Sequence, residues 1–171
     1  MRNKATHIDQ VPSDKGHYIA GFVDGEGSFY VSARVRKDYP SKWKFGLHFN
    51  VSNNDLAVLQ VCKRYLGCGV IRESRPGFYT LEVQDRSVLK RFVIPFFRRY
   101  GFLSNKKRAE FRIFQEALIA LDEGIRTKSQ LEHFLQLRSK LNAFRQTRVV
   151  NTDEVVHKTF VFSRESSETI R

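Results

Sequence analysis

The sequence predicts an α+β domain, a four-stranded antiparallel sheet with helices on one face. Three observations lead there. Residues 28–36 and 44–52 each alternate apolar and polar side chains, the period-two pattern of half-buried strands, with a turn-forming segment between them. A helical stretch precedes that pair, and a second helix-plus-two-strands unit follows it. Beyond residue 85 the chain carries helix signals and no further alternating run, so the predicted order is α-β-β-α-β-β-α-α-α.

Each element has its own warrant. Residues 1–13 are polar and are expected to form a flexible N-terminal segment. The first helix runs over about 14–26, with Ser13 or Asp14 able to cap its start through a side-chain oxygen. In the strand at 28–36, Phe29, Val31, Ala33 and Val35 share one face, and Tyr30, Ser32, Arg34 and Arg36 share the other. Lys37 to Lys42 form a loop containing Pro40. The strand at 44–52 buries Phe45, Leu47, Phe49 and Val51, and turns Lys44, Gly46, His48, Asn50 and Ser52 outward. Residues 55–66 read as an amphipathic helix stopped by Gly67. Val70 to Ser74 and Phe78 to Gln84 form a second hairpin around Arg75-Pro76-Gly77. Asp85 caps a helix over about 86–100, which Pro95 must kink or split. Ser104 caps a helix over about 105–123, and Thr127 with Gln130 forms a capping box for a last helix to about Asn142. The domain thus covers residues 14–142. Residues 143–171 are a C-terminal extension whose Phe160-Val161-Phe162 can dock or form a short strand.

Composition narrows the function classes. The 171 residues hold 30 Lys and Arg against 18 Asp and Glu, a formal net charge of +12. The basic residues run through the whole chain, so the expected partner is a polyanion, and nucleic acid comes first. Neither a long apolar span nor a signal peptide is present to favour a membrane. Aromatic residues at 13% indicate a folded core rather than a disordered basic protein. Cys62 and Cys68 match no zinc spacing and read as small core residues of a reducing compartment.

The first helix carries the chemistry. Gly21 and Gly25 lie four residues apart on one helix face, where the absence of side chains lets another backbone approach closely. The apolar run is too short to span a bilayer, so packing against a second copy of the same helix is the better reading. Asp24 and Glu26 then place two carboxylates at the helix C-terminus, against the macrodipole. A divalent cation there would remove that cost.

The run Ile19-Ala20-Gly21-Phe22-Val23-Asp24-Gly25-Glu26-Gly27, followed by Ser28-Phe29-Tyr30-Val31, resembles the motif of the LAGLIDADG homing endonucleases. The resemblance covers roughly residues 16–142 and is strongest at 18–36. It implies the family's αββαββα fold with a saddle-shaped sheet. It also implies metal-dependent hydrolysis of a long, pseudo-palindromic DNA site, with both strands cut across the minor groove to leave staggered 3′ overhangs. Only one motif copy is present, which in this family implies a homodimer; Ala20, Gly21, Asp24 and Gly25 are the interface candidates. Glu26 takes the place of the metal-binding acidic residue, where most members have Asp, and the Gly25 carbonyl matches a second ligand. The implied cofactor is Mg²⁺, with Mn²⁺ as a substitute. Asn53 matches a polar position that orients water, or else it caps the helix beginning near Asp55. Lys106 and Lys107 fall where the family has a basic residue near the scissile phosphate; Lys107 is preferred, and Asn105 is the alternative register.

The outward strand positions are the expected DNA-reading set: Tyr30, Ser32, Arg34, Arg36, Lys44, His48, Asn50, Arg72, Ser74, Arg75, Thr80 and Glu82. Arg pairs bidentately with guanine and Asn with adenine, and a β-ribbon fits the major groove. The competing reading is a maturase that binds intron RNA without cutting. A basic architectural protein explains the charge but not the helix ending in two carboxylates. The resemblance places such a protein in an organelle, chloroplast or mitochondrion, or in a bacterial cytoplasm.

Overall fold

The computed structural model describes residues 7–145 and 151–162. Helix α1 (Ser13–Glu26) leads straight into β1 (Gly27–Val35), which pairs antiparallel with β2 (Trp43–Asn53). Helix α2 (Leu56–Leu66) follows, then the hairpin of β3 (Val70–Arg75) and β4 (Phe78–Val83). The sheet order is β1-β2-β4-β3, with every neighbouring pair antiparallel. This is the expected fold class.

Local chemistry explains the boundaries. Asp55 caps α2 by accepting from the Ala57 N–H, and Gly67 closes it in the left-handed region at φ 72°. Ser104 caps α5 (Asn105–Glu123), and the capping box of Thr127 and Gln130 opens α6 (Lys128–Ala143). Helix α1 differs from expectation. Pro12 occupies its N-cap position without a side-chain bond, so neither Ser13 nor Asp14 is the cap; Asp14 still sits in the first turn, where its charge suits the dipole.

The segment around Pro95 splits as its chemistry requires. A short α3 (Arg86–Val88) passes into a π turn (Leu89–Val93) and then α4 (Ile94–Tyr100), with Pro95 in the first turn of α4. Proline removes one N–H from the ladder, and the wider π turn just before it absorbs the mismatch.

Phe29 is the hub of the core. It is fully buried, with the rings of Phe49, Phe111 and Phe114 at 5.0 to 5.3 Å and those of Phe97 and Phe102 at about 6 Å. Strand β1 and helices α4 and α5 therefore meet at one residue. Helix α1 approaches α4 at Gly16, where a Cβ would fall 2.2 Å from the Tyr100 ring. The Tyr100 hydroxyl in turn donates to the Val11 carbonyl at 3.0 Å. Val11 is buried, so the stretch just before α1 is docked rather than loose. Residues 1–6 lie outside the described residues.

The C-terminal extension docks as a helix, α7 (Asp153–Thr159), and forms no strand among the described residues. Arg138 of α6, almost fully buried, holds Asp153 and the Asn151 carbonyl. Asn151 donates to the Ala33 carbonyl at 2.7 Å, and Trp43 Nε1 donates to Thr159 at 3.0 Å. These contacts join the extension to the outer end of the β1–β2 hairpin. Phe160 completes the join by packing against Phe45. Burial pushes the thiols of Cys62 and Cys68 up to about 12, in keeping with inert packing residues.

Candidate active site and nucleic-acid interface

The end of α1 is gripped by the start of α5. Asp24 accepts from the backbone N–H groups of Leu103 (3.0 Å) and Ser104 (2.9 Å) and from the Ser104 hydroxyl. Burial opposes its ionisation most strongly, but these hydrogen bonds together hold its carboxyl below the usual value. A depressed carboxylate pKa adds stability above the unfolded value of about 3.9, and that stability is lost as pH falls through the folded value. Asp24→Asn keeps an acceptor oxygen but cannot titrate. Urea unfolding between pH 6 and pH 2.5 should therefore show a smaller acid loss for this variant than for wild type; equal losses would remove Asp24 from the linkage.

Glu26 is exposed at the last position of α1, and Gly25 beside it is exposed as well. A Cβ at Gly25 or Gly21 would meet nothing within 4 Å. Together with Tyr18, 55% exposed, these glycines form an open stripe on α1. Ala20 does not belong to it. It is 3% exposed and faces its own core, because Gly16, Ile19, Ala20 and Val23 make the buried stripe of the helix. The last carbonyls of a helix lack intrahelical partners, so the Glu26 carboxylate stands among backbone oxygens. Such hard oxygen donors suit Mg²⁺ or Ca²⁺, and the group fits this end of the helix. Among the described residues no group of three His, Cys, Asp or Glu side chains comes together to hold a metal ion. A cation at Glu26 would need ligands beyond these side chains.

A cleft of about 300 Å³ opens beside this point, lined among others by Gly25, Ser28, Lys106, Lys107 and Arg145. Ser28 Oγ is buried there without a hydrogen-bond partner. Lys106 is exposed. Lys107, expected to face a phosphate, is turned inward. Only 6% exposed, its ammonium donates to the Gly27 carbonyl (2.5 Å) and to Glu110 (2.8 Å). Asn53 ends β2 next to the α1–β1 junction, since Gly27 pairs with Val51. Its Oδ1 accepts from the Asp55 N–H at 2.8 Å, a turn just ahead of the cap that Asp55 itself provides.

The outer sheet face is a connected polar layer. Cross-strand pairs bring Ser28 to Asn50, Tyr30 to His48, Arg34 to Lys44, Asn50 to Glu82, Ser52 to Thr80 and Arg72 to Thr80. Arg34, Lys44, Arg72 and Ser74 are exposed. Arg75 stacks on Phe78 at 4.5 Å, beside a bulge in β3. Two expected members differ. Arg36 lies past the end of β1 and holds Asp38 through two hydrogen bonds of 2.8 and 2.5 Å, so it belongs to the turn. The alternation also ends there, with Val35 57% exposed rather than buried. His48 points to the outer face but is 4% exposed. Tyr30 stacks on it at 4.5 Å, Ser32 Oγ lies 2.8 Å from Nε2, and Glu82 lies 3.2 Å from Nδ1. Burial lowers the His48 pKa more than Glu82 raises it, so the ring is neutral at pH 7. His48 therefore supports Tyr30 and Glu82 from beneath.

Two contributors were missed in the sequence. Arg145 places its guanidinium 3.8 Å from the Tyr30 ring centre, capping the Tyr30–His48 stack. Glu110, 3% exposed, binds the Lys107 ammonium and accepts from the Phe29 N–H at 2.7 Å. Neither carries a local pattern that signals it.

A family model for the LAGLIDADG endonucleases matches residues 19–118, more than half of the chain and including both Glu26 and the start of α5. The chain belongs to this family. It is 32% identical over 107 residues to the homing endonuclease I-ApeII of Aeropyrum pernix, covering 61% of this chain and 62% of that protein. A Schizosaccharomyces pombe relative, named Probable intron-encoded endonuclease Cox1-I1b, is 25% identical over 149 residues, covering 84% of this chain and 38% of the relative. The chain thus spans less than two thirds of the length of either relative. Among solved structures it is similar to the archaeal intron-encoded homing endonuclease I-Vdi141I complexed with DNA, at 27% identity and a TM-score of 0.76, covering 85% of this chain and 94% of that one. No helix among the described residues is long and apolar enough to cross a membrane.

Proposed function

We propose that this chain is a site-specific double-strand DNA endonuclease that acts as a homodimer on a long pseudo-palindromic site. The observation that carries the reading is the exposed Glu26 carboxylate at the end of α1, next to the open Gly21 and Gly25 stripe. One face of the helix can meet its copy while its end presents a carboxylate to DNA. Two chains then supply one Glu26 for each strand, and the cuts fall across the minor groove to leave 3′ overhangs.

Glu26 and the Gly25 carbonyl would hold a divalent cation, taken to be Mg²⁺ with Mn²⁺ as a substitute. When bound, the ion supplies charge stabilisation at the phosphoryl group and a more acidic water. The protein's own part is positional. Asp24 fixes the helix end against α5, Lys106 offers an exposed cation to the phosphate backbone, and Asn53 orients water at the end of β2. Tyr30, Ser32, Arg34, Lys44, Asn50, Arg72, Ser74, Arg75, Thr80 and Glu82 read the groove.

Arg34 is exposed opposite Lys44, and Arg34→Ala should relax the preference at one base pair in each half-site, at a cost of about 1–3 kcal/mol. An equal loss on all sequences, with a shallower salt dependence, would assign Arg34 to phosphate instead. The assembly is tested by sedimentation of the protein on a duplex that it cuts. Two chains per duplex support the proposal. One chain per duplex, or far tighter binding of intron RNA at equal salt, contradicts it.

A further inference from the structure

Lys107 and Glu110 form an ion pair inside the fold, one turn into α5, and neither uses all its hydrogen bonds on the other. Glu110 gives one oxygen to Lys107 at 2.8 Å and the other to the Phe29 N–H at 2.7 Å. Lys107 donates a second time, to the Gly27 carbonyl at 2.5 Å. Both backbone partners lie within three residues of Glu26. On the other side of Glu26, Asp24 is bound by Leu103 and Ser104. The start of α5 therefore holds the chain at residues 24, 27 and 29, and Glu26 stands between those points.

Stability alone does not require this arrangement. A buried ion pair costs much desolvation, and an apolar pair of similar volume is often as stable or more so. What the pair supplies is a fixed path for the backbone where the carboxylate leaves the helix. We propose that Lys107 and Glu110 are positioning residues that set the Gly25–Glu26 oxygens for the cation, acting through the Gly27 carbonyl and the Phe29 N–H. Lys107 thus acts through the protein backbone and not on the phosphate. The inference rests on the reading of Glu26 as the metal-binding carboxylate.

The test uses Glu110→Gln and the apolar double variant K107M/E110L, so that a poorly folding single variant does not end it. Binding to a duplex cut by wild type is measured in EDTA. The protein–duplex complex is then titrated with Ca²⁺ by calorimetry, and cleavage is followed against Mg²⁺ concentration. Both variants should bind the duplex in EDTA as wild type does. Both should lose about 10-fold in Ca²⁺ affinity, as outer-shell partners of metal ligands do, with a matching rise in the Mg²⁺ needed for half-maximal cleavage. Wild-type Ca²⁺ affinity in K107M/E110L would overturn the proposal. So would a Lys107→Met variant that loses duplex affinity in EDTA while keeping Ca²⁺ affinity, since Lys107 would then act on phosphate. If Glu26→Gln itself leaves Ca²⁺ affinity unchanged, the assignment of Glu26 fails, and that outcome is distinct from the other two.

Discussion

Glu26→Gln should slow cleavage by roughly 10²–10³-fold while leaving binding to the same duplex intact. The substitution keeps the size of the side chain and removes only its charge. Glu26 is exposed and makes no hydrogen bond that folding depends on among those observed around the helix end, where Asp24 and Gly27 carry the contacts to α5. Folding should therefore be unchanged. An interaction felt mainly in the transition state lowers turnover and not affinity. Loss of one such electrostatic group costs roughly 10²–10³ in rate, and a heterodimer of wild-type and variant chains should nick a single strand. Single-turnover cleavage on a labelled duplex, alongside a gel-shift titration in EDTA, measures both sides. Undiminished cleavage would remove Glu26 from the mechanism.

The second large effect is on stability. Phe29→Ala should destabilise the fold by about 3–5 kcal/mol, the range for truncating a buried phenylalanine. Five aromatic rings surround Phe29 and come from β2, α4, α5 and the segment between those helices, so the cavity cannot close by moving one element. For a domain of this size the expected drop in Tm is about 6–20 °C. Phe29 lies two residues beyond Gly27, so activity should fall with stability. Calorimetry checks the prediction, and a shift of a degree or two would show that the core repacks more freely than the ring geometry indicates.

The elements were legible because their ends are coded locally. Ser104, Asp55, Gly67 and the Thr127–Gln130 box each act within a few residues, and the strands announce themselves by alternation. The start of α7 carries the same kind of signal, with Thr152 as cap and Asp153 and Glu154 in the first turn, whereas Phe160-Val161-Phe162 is compatible with docking and with a short strand alike. Ala20 was misplaced at the interface, although the spacing of Gly16, Ile19 and Val23 puts it in the buried stripe, about 100° around the helix from Gly21. Other features depend on partners far along the chain. His48 points outward as its strand pattern requires, yet Tyr30, Ser32 and Glu82 converge on it from two other strands. Lys107 faces inward because the phase of α5 against β1 puts Gly27 and Glu110 beside it. Neither fact follows from local periodicity. The same holds for Arg145, which reaches Tyr30 from beyond α6.

Two copies of one carboxylate, held at the ends of paired α1 helices, are proposed to cut both strands of a specific site. Cleavage selection tests it most directly. The purified protein and Mg²⁺ are incubated with a library of long, partly randomised duplexes, and the cut ends are sequenced. One pseudo-palindromic site with matching 3′ overhangs is expected, and the same selection with Glu26→Gln should recover almost nothing. Absence of cutting by the wild-type chain, with duplex binding that decays steeply and uniformly with salt whatever the sequence, would contradict it.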